Sequence, residues 1–467
     1  MGPFRLLVLG NGISAYGSYL NMVALNVFVY QLTHSAFAAG MFLAVRLLTS
    51  VGSGFVSGRL VTRFDRKRLM VGSDLTQATA LLVLLSLPDT ARAPMLYVLA
   101  VTAGACSTLS QVALRSSVPE IVGPDLRAKA NGLLVTGRSL AMIAGFASSG
   151  LVVAKLGYSA AFALDAVTFA VSAVVLFLLP IRTRAAAGPQ SAEGPDRAAE
   201  ETGGTRWASL ALLRAAPLLA VMIAIRAADG LGSSSHNVAL PVYSSDLDPH
   251  HPATFISQFW ATWAIGSIVA QQVCGRYLGK GERTFGERAF ALGSCAMSAA
   301  FILVFCGLPT PLAVGVALVA GMADGFTEIA YVTRLQAVPD DQRGRLFGLS
   351  ASFENGGFGL GMVVSAVVLE FSSPLVVVSA FHGVAIVLCT AFLVAMTRRS
   401  RSAPAAAVTG DRSPGTAAAG DPVPRSATAG DPVPGTATAG DAVPGTAAAE
   451  SRRLPGRDVH AAEGGGA

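Results

Sequence analysis

Long apolar segments alternate with short polar stretches along most of this 467-residue chain. An α-helix needs roughly 20 apolar residues to cross about 30 Å of hydrocarbon. Twelve segments meet that need, the first being too long for a signal-peptide core. They lie at 4–31, 35–60, 69–87, 94–115, 129–153, 158–181, 217–243, 254–278, 288–308, 311–335, 346–371 and 374–397. The pattern predicts an all-α membrane protein with twelve transmembrane helices.

Two polar regions divide the chain into domains. The stretch 182–216 is rich in Ala, Gly, Pro and Glu and is predicted to be a flexible cytoplasmic linker. From residue 398 a ten-residue Gly-Asp and Pro repeat begins, which cannot bury a core and is predicted to be disordered. The predicted domains are therefore a six-helix bundle at 1–181, the linker, a second six-helix bundle at 217–397, and a cytoplasmic tail at 398–467.

Two sequence signatures recur in the second bundle at nearly one offset. Gly58-Arg59 with Asp65-Arg66 is echoed 217 residues later by Gly275-Arg276 with Glu282-Arg283. The Val-Pro-acidic triplets at 118–120 and 338–340 are 220 residues apart, counted at their prolines. Repeats of this kind predict a parallel duplication, that is, two pseudo-symmetric six-helix bundles.

The charges support a membrane topology. Only 13% of residues are charged and 52% are hydrophobic, whereas soluble domains have about a quarter charged. Twenty Lys and Arg residues fall in alternate loops and flanks, and only Arg92 and Lys155 fall in the other loops. Because cytoplasmic loops carry this excess, both termini are predicted to be cytoplasmic in a multi-pass protein of the cell membrane. The basic residues cluster at segment ends, so nucleic-acid binding is disfavoured.

Seven charged residues stand well inside the apolar segments, where each costs about 2.5–3.5 kcal/mol. They are Arg46, Arg138, Asp165, Arg226, Asp229, Asp324 and Glu328. A structural interpretation has the arginines neutralised by acids, such as Arg226 by Asp229 three residues away. A second makes Asp324 and Glu328 a proton site, because they share a helix face with no local cation. The third is direct contact with a cationic or polar substrate.

Other polar residues of the segments have simpler explanations. Asn21, His236 and Asn237 are candidate cavity residues, but a hydrogen bond between helices explains each equally well. Asp74 and Glu354 are placed near inner helix ends, where capping or loop pairing is expected. No hydrolase, metalloprotease or phosphate-loop motif is present, so the sequence does not favour an enzyme. The five cysteines are scattered singly, and neither a metal site nor a cofactor is predicted.

Four stretches resemble the major facilitator superfamily over most of residues 1–398. The stretch 58–66 is similar to the family's signature in the loop between helices 2 and 3. Stretches 117–132, 161–169 and 338–348 are similar to the branch that contains macrolide-efflux proteins and the enterobactin exporter. The resemblance implies two bundles around a central cavity lined by helices 1, 4, 7 and 10, with export by proton antiport. Thr62 stands where the signature has an acid, and Asp65 is a possible substitute. Gly145-Phe146 departs from the Gly-Pro pair of antiporters.

The sequence thus predicts a monomeric exporter of a drug-like, secondary-metabolite or siderophore substrate. Protons, a small-molecule substrate and the lipid bilayer are its expected partners. Coupling and cavity roles are assigned to Arg226, Asp229, Asp324, Glu328, Asn21 and Arg46. Control of bundle movement is assigned to the loop residues Gly58, Arg63, Asp65 and Arg66. The alternatives are a nutrient uptake symporter and a membrane sensor or binding subunit that moves nothing.

Overall fold

A computed structural model describes residues 2–123, 126–179, 217–278, 286–338 and 340–402. The predicted linker and almost all of the predicted tail lie outside these residues. The described part is α-helical throughout, with short connections. In chain order its helices are α1 (Gly2–Thr33), α2 (Ala36–Arg63), α3 (Arg66–Ser86), α4 (Asp89–Val122), α5 (Arg127–Leu178), α6 (Pro217–Leu247), α7 (Pro252–Leu278), α8 (Glu287–Val304), α9 (Thr310–Gln336), α10 (Asp340–Leu369) and α11 (Pro374–Ser402).

The helix α5 contains two of the predicted spans. Its 52 residues would extend about 78 Å, more than twice the hydrocarbon thickness of a bilayer. Gly157 interrupts the helical backbone with φ +82° and ψ 172°, a conformation that glycine adopts without steric cost. The chain therefore turns at Gly157, between the predicted segments 129–153 and 158–181.

The described helices account for twelve spans. Ten of the eleven described helices, including α5, are long and apolar enough to cross a membrane. The helix α1 is not among these ten, because Asn11, Asn21 and Asn26 lower its apolar content, but its 32 residues are long enough. With α5 counted twice, the architecture is the predicted one of two six-helix halves.

The two halves repeat one packing scheme. In the first half α1 packs along both parts of α5, α2 packs on α4, and α3 packs on α4 and α5. In the second half α6 packs on α10 and α11, α7 packs on α9, and α8 packs on α9 and α11. An ion pair ties the third helix to the fourth in each half, but with its charges exchanged. Arg66 of α3 pairs with Glu120 of α4, and Arg334 of α9 pairs with Glu287 of α8 at 2.8 Å.

The halves meet closely at the end that carries the α1–α2 connection. There Glu370 accepts hydrogen bonds from the Ser35 hydroxyl at 2.8 Å and the Phe37 amide at 2.7 Å. The Ser257 hydroxyl of α7 donates to the Phe146 carbonyl of α5 at 2.5 Å. These bonds join α2 to the end of α10, and α5 to α7.

The helices α2 and α10 diverge from this end. Gly40, seven residues before Leu47, packs so tightly on Ala366 that a Cβ at position 40 would clash. At Leu47 the packing is looser, because a Cβ added to Gly359 would lie 3.3 Å from the Leu47 side chain. Seven residues further, Gly54 has no neighbour within 4 Å of where its Cβ would lie. Positions 40, 47 and 54 lie on one face of α2, because residues seven apart are two helical turns apart. The space beside this face increases from Gly40 to Gly54, so the cleft between α2 and α10 widens toward the α2–α3 end.

Candidate functional site

A charged cluster lies inside the second half, where α6, α9 and α10 meet. Arg226 of α6 is 9% exposed and forms three ion pairs. Its Nη1 lies 3.1 Å from Asp229 of the same helix. Its Nη2 lies 2.5 Å from Glu328 of α9 and 3.2 Å from Glu354 of α10. The local pair of Arg226 and Asp229 is thus present as predicted, within a larger network that ties three helices together.

Two sequence interpretations need correction at this cluster. Glu328 does have a cation nearby, because Arg226 reaches it from another helix. Glu354 was placed near a helix end, but α10 begins at Asp340, so Glu354 lies 14 residues, or about 21 Å, along the helix. The predicted apolar segment began at residue 346, six residues after the true start of the helix. Glu354 was therefore not predicted as a residue of the site.

Asp324 completes the group that we call the Arg226 cluster (Arg226, Asp229, Asp324, Glu328 and Glu354). It lines a cavity of about 310 Å³ together with Arg226, Asp229 and Glu354. Four carboxylates therefore surround one guanidinium. Among the described residues, Arg226 Nε and Asp229 Oδ1 are buried without a hydrogen-bond partner, so this conformation does not satisfy the cluster fully.

An aromatic side chain positions the arginine. The Arg226 guanidinium lies 5.7 Å from the ring centre of Tyr331, within the range of a cation–π contact. The Tyr331 hydroxyl is in turn hydrogen-bonded to the Ser350 hydroxyl at 2.5 Å. Because Tyr331 is 3% exposed, its ring is a fixed support, and it holds Arg226 toward the carboxylates.

A second cavity lies inside the first half, and we call it the N-half cavity. It has a volume of about 150 Å³ and is lined by α1 to α5. Its charged residues are Arg46 of α2, Asp74 of α3 and Arg138 of α5. Asp74 is 4% exposed and was missed as a cavity residue, although it lies about 12 Å along α3. Its polar lining includes Asn11, Ser14, Ser18, Gln77, Ser107, Ser110 and Gln111.

Buried polar pairs join the first and last spans of each half. Asn21 of α1 donates to Asp165 of α5 at 2.6 Å. His236 of α6 lies 3.1 Å from His382 of α11, nitrogen to nitrogen, and stacks on Phe301. The helix–helix hydrogen bonds considered for Asn21 and His236 are therefore present. Asn21 also lines a small pocket with Arg46 and Asp165, beside the N-half cavity.

The loop signature has a structural role in the first half. Asp65 caps α3 by accepting from the Arg68 amide at 3.0 Å, so in this structure it serves the helix start. Arg66 also donates to the Ser116 carbonyl of α4 at 3.0 Å. Arg63 is exposed at the end of α2, five residues beyond Gly58.

Two duplicated helical halves with charged cavities between their helices are typical of secondary membrane transporters. The profile of the Major Facilitator Superfamily matches residues 7–338, and the chain belongs to this family. It is thus a transporter of that superfamily rather than an enzyme.

The following relatives are distant from this chain in sequence. The chain is 23% identical over 344 residues to the uncharacterized MFS-type transporter YjbB of Bacillus subtilis (strain 168), covering 72% of this chain and 81% of that protein. The crystal structure of the nucleoside transporter NupG superposes with a TM-score of 0.67 at 16% identity, covering 85% of this chain and 99% of NupG. The peptide transporter POT in complex with sulfate gives 0.62 at 14% identity, with 85% and 95% covered. These structures bear on the fold alone.

Proposed function

We propose that this transporter exports a drug-like or secondary-metabolite substrate, siderophores included, by proton antiport. The Arg226 cluster carries this proposal, because it places four carboxylates around one arginine inside a membrane bundle. With every group ionised the cluster has a net charge of −3, which a low-dielectric site tolerates poorly. Protons are the simplest ligands that offset this charge, and their release would be coupled to conformation.

The network gives protonation a mechanical consequence. Arg226 holds α9 and α10 to α6 through Glu328 and Glu354. A proton on either glutamate removes an ion pair with Arg226 and loosens that helix from α6. Because α10 also contacts α2 of the other half, a change at Glu354 reaches the surface between the halves. Proton binding would therefore bias the equilibrium between the two orientations of the cleft.

The shape of the cleft supports alternating access. It is closed at the α1–α2 end, where Gly40 packs against Ala366. It opens toward the α2–α3 end, where Gly54 has open space beside it. With the predicted topology, the open end faces the cytoplasm. An exporter loads its substrate in this state. The resemblance to the branch of macrolide-efflux proteins and the enterobactin exporter supports export over uptake.

The test uses everted membrane vesicles and a panel of fluorescent drug-like dyes. Export in the cell becomes dye accumulation in such vesicles, and a protonophore should abolish it. Glu328→Gln and Asp324→Asn should each reduce accumulation by about tenfold or more, because each removes a proton site. Asp246→Asn is the matched control, since it removes an exposed carboxylate from the last turn of α6.

The outcomes separate the competing functions. Full accumulation in both Glu328→Gln and Asp324→Asn would refute proton coupling through the cluster. Proton-driven loss of dye from the same vesicles would identify an uptake symporter. Saturable binding without movement in either direction would identify a sensor or binding subunit.

A further inference from the structure

We propose that Arg46 and Arg138 form an anion-recognition subsite in the N-half cavity, so that the substrates carry a carboxylate, sulfonate or phosphate group. The inference rests on the proposed function in one respect, namely that the cavity lies on the substrate's path. It adds the chemical class of the substrate, which the carboxylate-rich Arg226 cluster does not specify.

Arg46 is a charged residue near mid-membrane without a direct partner. It lies ten residues from the start of α2, about 15 Å along the helix and near the middle of the hydrocarbon. Arginine at that depth is costly and is almost always paired. Among the described residues, however, Arg46 has neither a hydrogen bond nor an ion pair within 4.0 Å. Arg66, Arg226 and Arg334 all have carboxylate partners, so Arg46 departs from the chain's own pattern.

Arg138 presents its donors to the same cavity. Its Nε donates to the Tyr19 hydroxyl at 2.9 Å, and its guanidinium lies 5.9 Å from the centre of the Tyr19 ring. Tyr19 thus orients the guanidinium through one nitrogen. The two terminal nitrogens make no hydrogen bond with the described residues, and the side chain is exposed. A guanidinium held in this way can bind two oxygens of one anion at once.

The carboxylates of the first half do not occupy these donors. Asp165 is engaged by Asn21 at 2.6 Å and by the Thr168 hydroxyl, and acts on Arg46 only over a longer distance. Asp74 lines the N-half cavity but forms no ion pair with either arginine. Both acids moderate the positive charge, while the N–H groups of the arginines remain available for an anion.

The two halves then have complementary roles. The consecutive residues Arg46 and Leu47 of α2 line the N-half cavity and the cavity of the Arg226 cluster respectively. The first half offers unpaired guanidinium groups, whereas the second has a surplus of carboxylates around an arginine that is already paired. An anionic group would be attracted by Arg46 and Arg138 and repelled by the Arg226 cluster. Substrate and proton would therefore bind on opposite sides of α2.

The test measures binding at equilibrium with the purified full-length protein. The probes are benzenesulfonate, phenyltrimethylammonium and benzamide, which are similar in size but anionic, cationic and neutral. At constant ionic strength, benzenesulfonate should raise the midpoint of thermal unfolding by a few degrees, and the other two should not. Arg46→Gln and Arg138→Gln should each raise its half-saturating concentration by about 10- to 100-fold, as expected for lost hydrogen bonds to a charged group. Arg46→Lys should recover only part of the loss, because lysine lacks the paired donors.

The control and the contrary outcomes are specific. Arg276→Gln removes an exposed arginine at the end of α7 and should respond like the wild type. An equal response to benzamide, a stronger response to phenyltrimethylammonium, no response to benzenesulfonate, or an unchanged response in both glutamine variants would each overturn the proposal. If Arg46→Gln does not fold, Arg138→Gln decides. No proton gradient is present, so a failure here leaves the dye-transport result standing, and the reverse also holds.

Discussion

Replacing Arg226 by glutamine should destabilise the second half strongly, because the substitution leaves a buried carboxylate without its cation. The side chain of Asp229 is 7% exposed and lies 3.1 Å from Arg226. Removing one partner of such a buried pair typically costs about 3–5 kcal/mol. The side chains of Glu328 and Glu354 are 42% and 39% exposed, so water screens them and each adds only about 0–1 kcal/mol.

The double variant Arg226→Gln/Asp229→Asn tests this reasoning about charge. It removes both members of the buried pair and leaves two amides of nearly unchanged volume. Most of the lost stability should therefore return, since the double variant no longer leaves an uncompensated charge buried. A loss of size alone would not be repaired by the second substitution.

Thermal unfolding of the purified protein at pH 7, followed by intrinsic fluorescence, measures both variants. For a unit of 150–250 residues, 1 kcal/mol corresponds to about 2–4 °C, so the loss at Asp229 alone should lower the midpoint of Arg226→Gln by roughly 6–20 °C. Arg276→Gln should remain near the wild type. A single variant as stable as the wild type, or a double variant no better than the single one, would refute the view that Arg226 compensates a buried charge.

Two further predictions concern the ends of the halves. Glu370→Ala removes both hydrogen bonds to Ser35 and Phe37, worth about 1–2 kcal/mol together at this exposed position, and should shift the population away from the closed α1–α2 end by about 5- to 30-fold. Electron-spin distance measurements between labels at Gly54→Cys and Ser352→Cys should then reveal shorter distances, and an unchanged distribution would contradict this role. The backbone amides of His251 and His250 donate to Asp248 and hold its pKa below the ordinary value. Because that pKa is lowered on folding, the turn's contribution is present above the unfolded-state pKa and is lost only as the pH falls through the folded-state value. Asp248→Asn should therefore lose stability near neutral pH but little in strong acid, and an equal loss at both would contradict the assignment.

The architecture could be predicted from the sequence because hydrocarbon imposes strict requirements. A helix that crosses a membrane must be long and apolar, and so the spans are visible as segments. Their boundaries were less certain, since apolar content fades at the interface while the helix continues. The clearest cases are α10, which begins at Asp340 rather than at 346, and α11, which continues to Ser402 rather than 397. The six-residue difference at the start of α10 is the reason that Glu354 was predicted near a helix end although it lies in the helix interior.

The candidate site was only partly predictable, because its partners come from different helices. Residues three or four apart share a helix face, and so Arg226 could be paired with Asp229 from spacing alone. Nothing in local spacing indicates that Glu328 and Glu354 reach the same guanidinium from α9 and α10, 102 and 128 positions away. The acids expected beside Arg46 and Arg138 are present, since Asp165 and Asp74 line the same cavities, but among the described residues neither acid forms an ion pair with either arginine.

The duplicated architecture preserves positions rather than charges, and this explains how one ancestral bundle can provide two kinds of site. Asn21 and His236 are 215 residues apart, Asp165 and His382 are 217 apart, and each first member contacts its second across corresponding helices. An amide–carboxylate pair in one half thus corresponds to a pair of histidines in the other. The tie between Arg66 and Glu120 likewise returns with its charges exchanged in Glu287 and Arg334. Packing constrains where a polar contact can stand, whereas its chemistry is free to diverge. A duplicated transporter can therefore place guanidinium groups in one half and carboxylates in the other without altering its helices, as the proposed division between anion and proton binding requires.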